Sequence, residues 1–68
     1  MIKYDRIWET MRERNISEYA FIEKHGFSSG TFHRLRHNKP ITTTTIDDFC
    51  KILNCNVEDI MEYVAEDM

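Results

Sequence analysis

His25-Gly26-Phe27-Ser28-Ser29-Gly30-Thr31-Phe32-His33-Arg34-Leu35-Arg36 reads as a glycine turn followed by a short, cationic, amphipathic helix. Ser28 is placed to cap a helix over residues 29–37, in which Phe32 and Leu35 point inward. At 100° per residue, Gly30, His33, Arg34 and His37 then form the opposite stripe. Asn38 is the expected left-handed residue closing this helix, and Pro40 prevents its restart.

Charge around this segment is sorted by position. Between Lys24 and Ile46 no acidic residue occurs in 23 positions, which hold Lys24, Arg34, Arg36, Lys39 and all three histidines. Residues 1–23 carry a net −1, residues 24–46 carry +4 and residues 47–68 carry −6, giving −3 overall. Salt-dependent phosphate binding needs a local cationic patch rather than a basic total, so the acidic balance does not exclude nucleic acid. Surface helices ordinarily mix signs, as residues 4–14 do here, and a one-sign stretch calls for a reason.

Outward from the centre, other helices follow. Tyr4, Ile7, Trp8 and Met11 recur at i, i+3, i+4 and i+7, which predicts a first helix from Tyr4 to Arg14, ended by Asn15. Ser17 caps a short second helix with Glu18 in its first turn and Ala20, Phe21 and Ile22 as its packing surface, stopping at His25-Gly26. Thr45 is the expected cap of a fourth helix carrying Ile46, Phe49, Cys50 and Leu53 inward. A fifth begins after Asn56, with Val57, Ile60, Met61 and Val64 inward, and the tail from Glu66 frays. The expectation is an all-α, compact five-helix domain spanning residues 1–68, with one core and no repeat or linker.

Sixty-eight residues sit near the lower limit for a single core, since a chain this short buries only about 60% of its unfolded surface. No stretch approaches a membrane span and the first residues do not resemble a signal peptide, so a cytoplasmic protein is expected. Cys50 and Cys55 are too few for a disulfide framework and read as small buried hydrophobes. A zinc site from His33, His37, Cys50 and Cys55 is opposed by the histidines lying on a polar helix face while Cys50 lies on an apolar one. No metal or cofactor is expected. Without a strained nucleophile turn, a carboxylate pair or a phosphate loop, no enzyme is expected either.

What the central helix can do follows from its donors. Arg34 suits a bidentate bond to guanine O6 and N7, and His33 and His37 flank it as secondary readers or phosphate contacts. Gly30 allows close approach of backbone to a groove. Ser28, Ser29 and Thr31 can donate to phosphate or base at the helix start, while Lys39 and the hydroxyls of Thr42, Thr43, Thr44 and Thr45 can reach phosphates alongside.

From Ser17 to Leu35 the order of capped helix, glycine turn and capped helix resembles the helix-turn-helix of the Cro/C1-type family, the lambdoid phage repressor DNA-binding domains and their bacterial relatives. The resemblance runs on through Arg36-His37-Asn38-Lys39, similar to the family's Glu-Asn-Gly-Lys, to Leu53-Asn54-Cys55-Asn56-Val57-Glu58-Asp59-Ile60-Met61, similar to its closing Leu-Gly-Val-Ser-x-x-x-Leu. It implies a sequence-specific transcriptional regulator, often a repressor, that inserts helix 29–37 in the major groove of double-stranded DNA.

By that resemblance the base-reading positions are Ser29, Gly30, His33 and Arg34. Phosphate-contacting positions fall on Ser17, Glu18, Asn38, Lys39 and the threonines near the fourth helix. Three departures stand out. Glu18 replaces a common glutamine and would repel phosphate; Ile22 replaces a small residue at the helix crossing; and Arg36 replaces a common glutamate, adding charge near DNA while removing an internal salt bridge. A homodimer on a near-palindrome would use the last helix, through Met61, Tyr63, Val64 and Met68. The rival expectation is a protein-interaction module of the same fold, docking its acidic last helix on a basic partner.

Overall fold

The computed structural model describes residues 1–66. Asp67 and Met68, the latter named above as a dimer contact, lie outside the described residues. A short strand β1 (Ile2–Lys3) leads into α1 (Asp5–Arg14), α2 (Glu18–His25), α3 (Ser29–Arg36) and α4 (Thr43–Leu53). A single 3-10 turn (Val57–Asp59) and a strand β2 (Glu62–Tyr63) follow.

Polar caps and left-handed stops set these boundaries. Ser17 and Ser28 each accept a hydrogen bond from the backbone N–H three residues on, at 3.1 and 3.3 Å, which satisfies an orphan donor at the start of α2 and α3. Asn15, Gly26, Asn38 and Asn54 end the chain's helical turns with φ of 61, 73, 53 and 52°. Only glycine, and asparagine at a smaller cost than most residues, enter this region readily.

Two expectations are corrected. The cap of α4 is Thr42, whose hydroxyl accepts from the Thr45 N–H at 3.2 Å; Thr45 lies inside the helix, with its hydroxyl 3.0 Å from that of Thr42. The helix thus begins one turn earlier than expected, because the cap offsets the small propensity cost of three threonines in its first turn. The expected fifth helix is replaced by the 3-10 turn and β2. Ile2 pairs with Tyr63 and Lys3 with Glu62 in an antiparallel ladder, extended by the Val64 N–H donating to the Met1 carbonyl at 2.8 Å. A helix from Val57 to Val64 would be barely two turns long, too short to stand without packing. Of its intended inward residues only Ile60 is buried, Met61 and Val64 are half-buried, and Val57 is exposed. Among the described residues the fold is therefore four helices with a small β-ribbon.

Tyr4, Ile7, Met11, Phe21, Phe32, Leu35, Ile46, Phe49, Leu53 and Ile60 form the buried cluster. At its centre the rings of Phe21, Phe27, Phe32 and Phe49 are mutual neighbours, every pair having centroids between 4.8 and 6.3 Å apart. Each such aromatic pair adds about 0.5–1.5 kcal/mol beyond area burial. These four rings fix α2, the following turn, α3 and α4 to one another. Long-range polar bonds complete the frame: Thr10 Oγ1 donates to the Asp59 carbonyl at 2.7 Å, and Arg14 Nε to the Leu53 carbonyl at 2.9 Å. No helix among the described residues is long and apolar enough to cross a membrane.

Candidate nucleic-acid interface

Phe32 and Leu35 are buried, at 0% and 1% exposure, and they turn the opposite side of α3 to solvent. That side presents Ser29, His33, Arg34 and His37, all exposed. The rings of His33 and His37 lie on successive turns with centroids 4.4 Å apart. Arg34 makes no ion pair among the described residues; its one polar contact is Nη2 donating to Thr31 Oγ1 at 3.5 Å. A long contact to a neutral hydroxyl one turn back orients the guanidinium without neutralising it. Gly30 is half-buried, and an added Cβ would meet only Ser28 Oγ at 3.6 Å and Arg34 Nη1 at 3.7 Å, which is ordinary contact. Nothing inside this protein therefore demands glycine there.

After α3 the chain turns back sharply. The Lys39 N–H donates to the Arg34 carbonyl at 2.9 Å across left-handed Asn38, bringing Lys39 back beside the last turn of α3. The loop is then pinned: Asn38 Oδ1 accepts from the Tyr4 N–H at 3.3 Å, and Tyr4 Oη donates to the Lys39 carbonyl at 2.9 Å. Lys39 itself is exposed and has no acidic partner among the described residues.

Several positions expected to meet phosphate are placed differently from one another. Ser17, Ser28, Thr42, Thr43 and Thr44 are exposed. Thr31 is not: it is 8% exposed and its hydroxyl lies 3.2 Å from that of Ser28, so it braces the start of α3 and Arg34 from within. Asn38 is half-buried with its carbonyl oxygen committed to Tyr4.

Arg36 is a correction of a different kind. Its guanidinium pairs with the Glu18 carboxylate and lies over the Trp8 ring, 5.0 Å from the centroid. The two departures at residues 18 and 36 thus pair with each other, giving this chain an internal salt bridge of its own. Glu18 is neutralised by the same contact, which offsets its repulsion of an approaching phosphate. Residues 18 positions apart give no periodic signal, so sequence reading could not join them.

Two further features escaped the sequence. Tyr19, on the first turn of α2, is 72% exposed. Asp48 shares an open depression of about 300 Å³ with His25, Gly26, Ser28 and Thr31, placing a carboxylate at the edge of the acid-free segment. His33 and His37 do not gather with Cys50 and Cys55; no group of three or more potential metal-ligating His, Cys, Asp or Glu forms among the described residues.

Two capped helices joined through a left-handed glycine, the second carrying an unneutralised arginine on its outer stripe, invite comparison with known domains. A family model described as the Cro/C1-type HTH DNA-binding domain matches residues 6–66. The chain belongs to this family. Among solved structures, the Cro/C1-type chain is similar to the transcriptional regulator VanUg, with a TM-score of 0.82 and 29% sequence identity over 96% of this chain and 87% of that one. No curated protein matches. The half-buried Ile22, at the position where the family prefers a small residue, packs against the core within an overall fold that superimposes on VanUg.

Proposed function

We propose that this Cro/C1-type protein is a sequence-specific, double-stranded DNA-binding transcription regulator, acting as a repressor without enzymatic activity, that reads the major groove with α3. One observation carries the reading. Of the two arginines near the end of α3, Arg36 is engaged by Glu18 and Trp8, while Arg34 faces solvent, the backbone of Lys39 returns to it, and among the described residues no acid pairs with either. Exposed cations without a counter-charge are available to an approaching anion. Arg34, with Ser29, Gly30 and His33, contacts base edges; Ser17, Ser28, Thr42, Thr43, Thr44, His37 and Lys39 hold phosphates. Thr31 and Asn38 support this set from inside.

Residues 1–68 act as a single Cro/C1-type domain in this reading. A homodimer would place two copies of α3 about 34 Å apart, one helical turn of DNA. With the last helix absent, the surface available for it is the β-ribbon, where Tyr63 is 72% and Ile2 39% exposed. The rival reading, docking of the acidic last helix on a basic partner, keeps its acidic residues but not the helix, which is a 3-10 turn and a short strand here.

The test is titration of the protein against a duplex selected from a random pool, at several salt concentrations. Affinity falls linearly on a log-log plot, with a slope of about −0.9 per phosphate contacted. Arg34→Ala costs about 1–3 kcal/mol on the selected site and relaxes specificity, whereas Lys39→Ala weakens all sequences alike and flattens the salt slope. Equal losses on specific and random DNA for Arg34→Ala would remove base reading from that residue.

A further inference from the structure

The C-terminus of α4 brings two thiols together. Cys55 N–H donates to the Cys50 carbonyl at 3.1 Å across left-handed Asn54, so residue 55 folds back over residue 50. At such helix ends the two side chains usually form an apolar contact. Here both are free cysteines, half-buried, at the two positions that the turn brings back to back. They do not face a sealed core. Both line an open groove of about 450 Å³ that is walled by Ile46, Val57 and Met61 and contains no residue of α3.

We propose that Cys50 and Cys55 form a dithiol site for a soft, monovalent d10 cation, Cu(I) or its analogue Ag(I), with Met61 as a third sulfur-bearing wall. Thiolate and thioether ligands select such ions over hard cations, and a two-coordinate ion needs no more than the two sulfurs the turn supplies. Zinc would need four ligands, and no larger His, Cys, Asp or Glu group exists among the described residues to supply them. Binding is a simple exchange in which both thiols lose their protons to solvent and the ion gains two thiolates, leaving the complex with one negative charge. Burial and the carboxylate of Asp59 oppose that charge at both thiols, and Arg14, which donates to the Leu53 carbonyl at 2.9 Å, offsets part of this at Cys55. No oxidant takes part.

The experiment titrates fully reduced protein with Cu(I) under anaerobic conditions against a chromophoric Cu(I) chelator, reading near-ultraviolet thiolate-to-copper absorption. One ion per chain is expected, with both thiols protected from a maleimide. Cys50→Ser and Cys55→Ser each lower affinity by roughly a hundredfold or more, and Met61→Leu by about tenfold. Wild-type affinity in either serine variant overturns the site, as does half an ion per chain in a dimer, or failure to compete with the chelator. Should a serine variant lose helicity, maleimide protection of the unsubstituted protein by one equivalent of Cu(I) or Ag(I) decides the matter.

Discussion

The ends of α3 and α4 are built alike and carry opposite chemistry. Each closes through an asparagine at positive φ, Asn38 at 53° and Asn54 at 52°, and each returns an N–H to the carbonyl five residues back, at 2.9 and 3.1 Å. The first turn brings Arg34 and Lys39 together; the second brings Cys50 and Cys55 together. The end of α1 repeats the backbone through Asn15, with the Ile16 N–H donating to the Met11 carbonyl at 3.0 Å, and there the pair is purely apolar. One local device thus sets which residues meet, and the side chains placed on it decide whether the result is packing, anion attraction or sulfur ligation. Charged side chains gain little from packing, which supports the proposal that the end of α3 meets an anion outside the protein.

The largest break in this likeness is tethering. Asn38 has its side chain bonded to the Tyr4 N–H at 3.3 Å, whereas no side-chain bond of Asn54 occurs among the described residues. Asn38→Ala therefore combines left-handed strain with a lost hydrogen bond, about 2–3 kcal/mol, and Asn54→Ala carries the strain alone, about 1–2 kcal/mol. Glycine separates the terms: Asn54→Gly leaves stability near the parent, while Asn38→Gly still loses about 1 kcal/mol. Urea midpoints at constant slope measure all four. Equal losses at the two sites would mean that the Tyr4 contact contributes nothing.

These helix ends also show what a sequence discloses. Asn15, Gly26 and Asn38 could be read as stops because left-handed backbone admits few residue types, and Ser17 and Ser28 as caps because a hydroxyl there satisfies a backbone donor. The inward faces of α1, α3 and α4 followed from period. The closing segment did not, because Val57, Ile60, Met61 and Val64 match a helical period that is only two turns long. What decides between helix and strand there is the pairing of Ile2 with Tyr63, a contact between the chain's two ends. The candidate surface was legible where it depends on local charge, as at Arg34 and Lys39, which are exposed as expected and whose contact with nucleic acid is a proposal. It was illegible at Arg36 and Thr31, whose roles come from Glu18, Trp8 and Ser28 in three dimensions.

A smaller effect sharpens the claim that α3 faces a partner. An added methyl at Gly30 meets no atom closer than 3.6 Å, so Gly30→Ala raises stability by about 1 kcal/mol through helix propensity. If α3 lies in a groove with its backbone close to the bases, the same change lowers DNA affinity. Thermal melts and operator titration on one variant then move in opposite directions. A rise in stability with unchanged affinity would place Gly30 outside the contact.

The smallest effect belongs to the thiol pair and reads it through pH. Burial is the main cause that pushes the Cys55 thiol up from 9.0 to about 11, and the neighbouring Cys50 adds to it. Burial likewise raises Cys50, opposed by its hydrogen bond to Cys55. For groups that lose a proton on ionising, a raised value in the folded state means the unfolded chain releases protons first as pH climbs. The contribution to stability is complete below pH 9 and declines between pH 9 and about 11. Cys55→Ser, with a side chain that does not titrate there, flattens that decline. Urea midpoints from pH 8 to 10.5 check this, and an equal alkaline slope in parent and Cys55→Ser would show that the thiols do not sense their burial. Because the copper-bound fold already holds both thiolates while the unfolded chain still carries their protons below pH 9.0, one equivalent of Cu(I) replaces the alkaline decline by a rise that levels off above that pH.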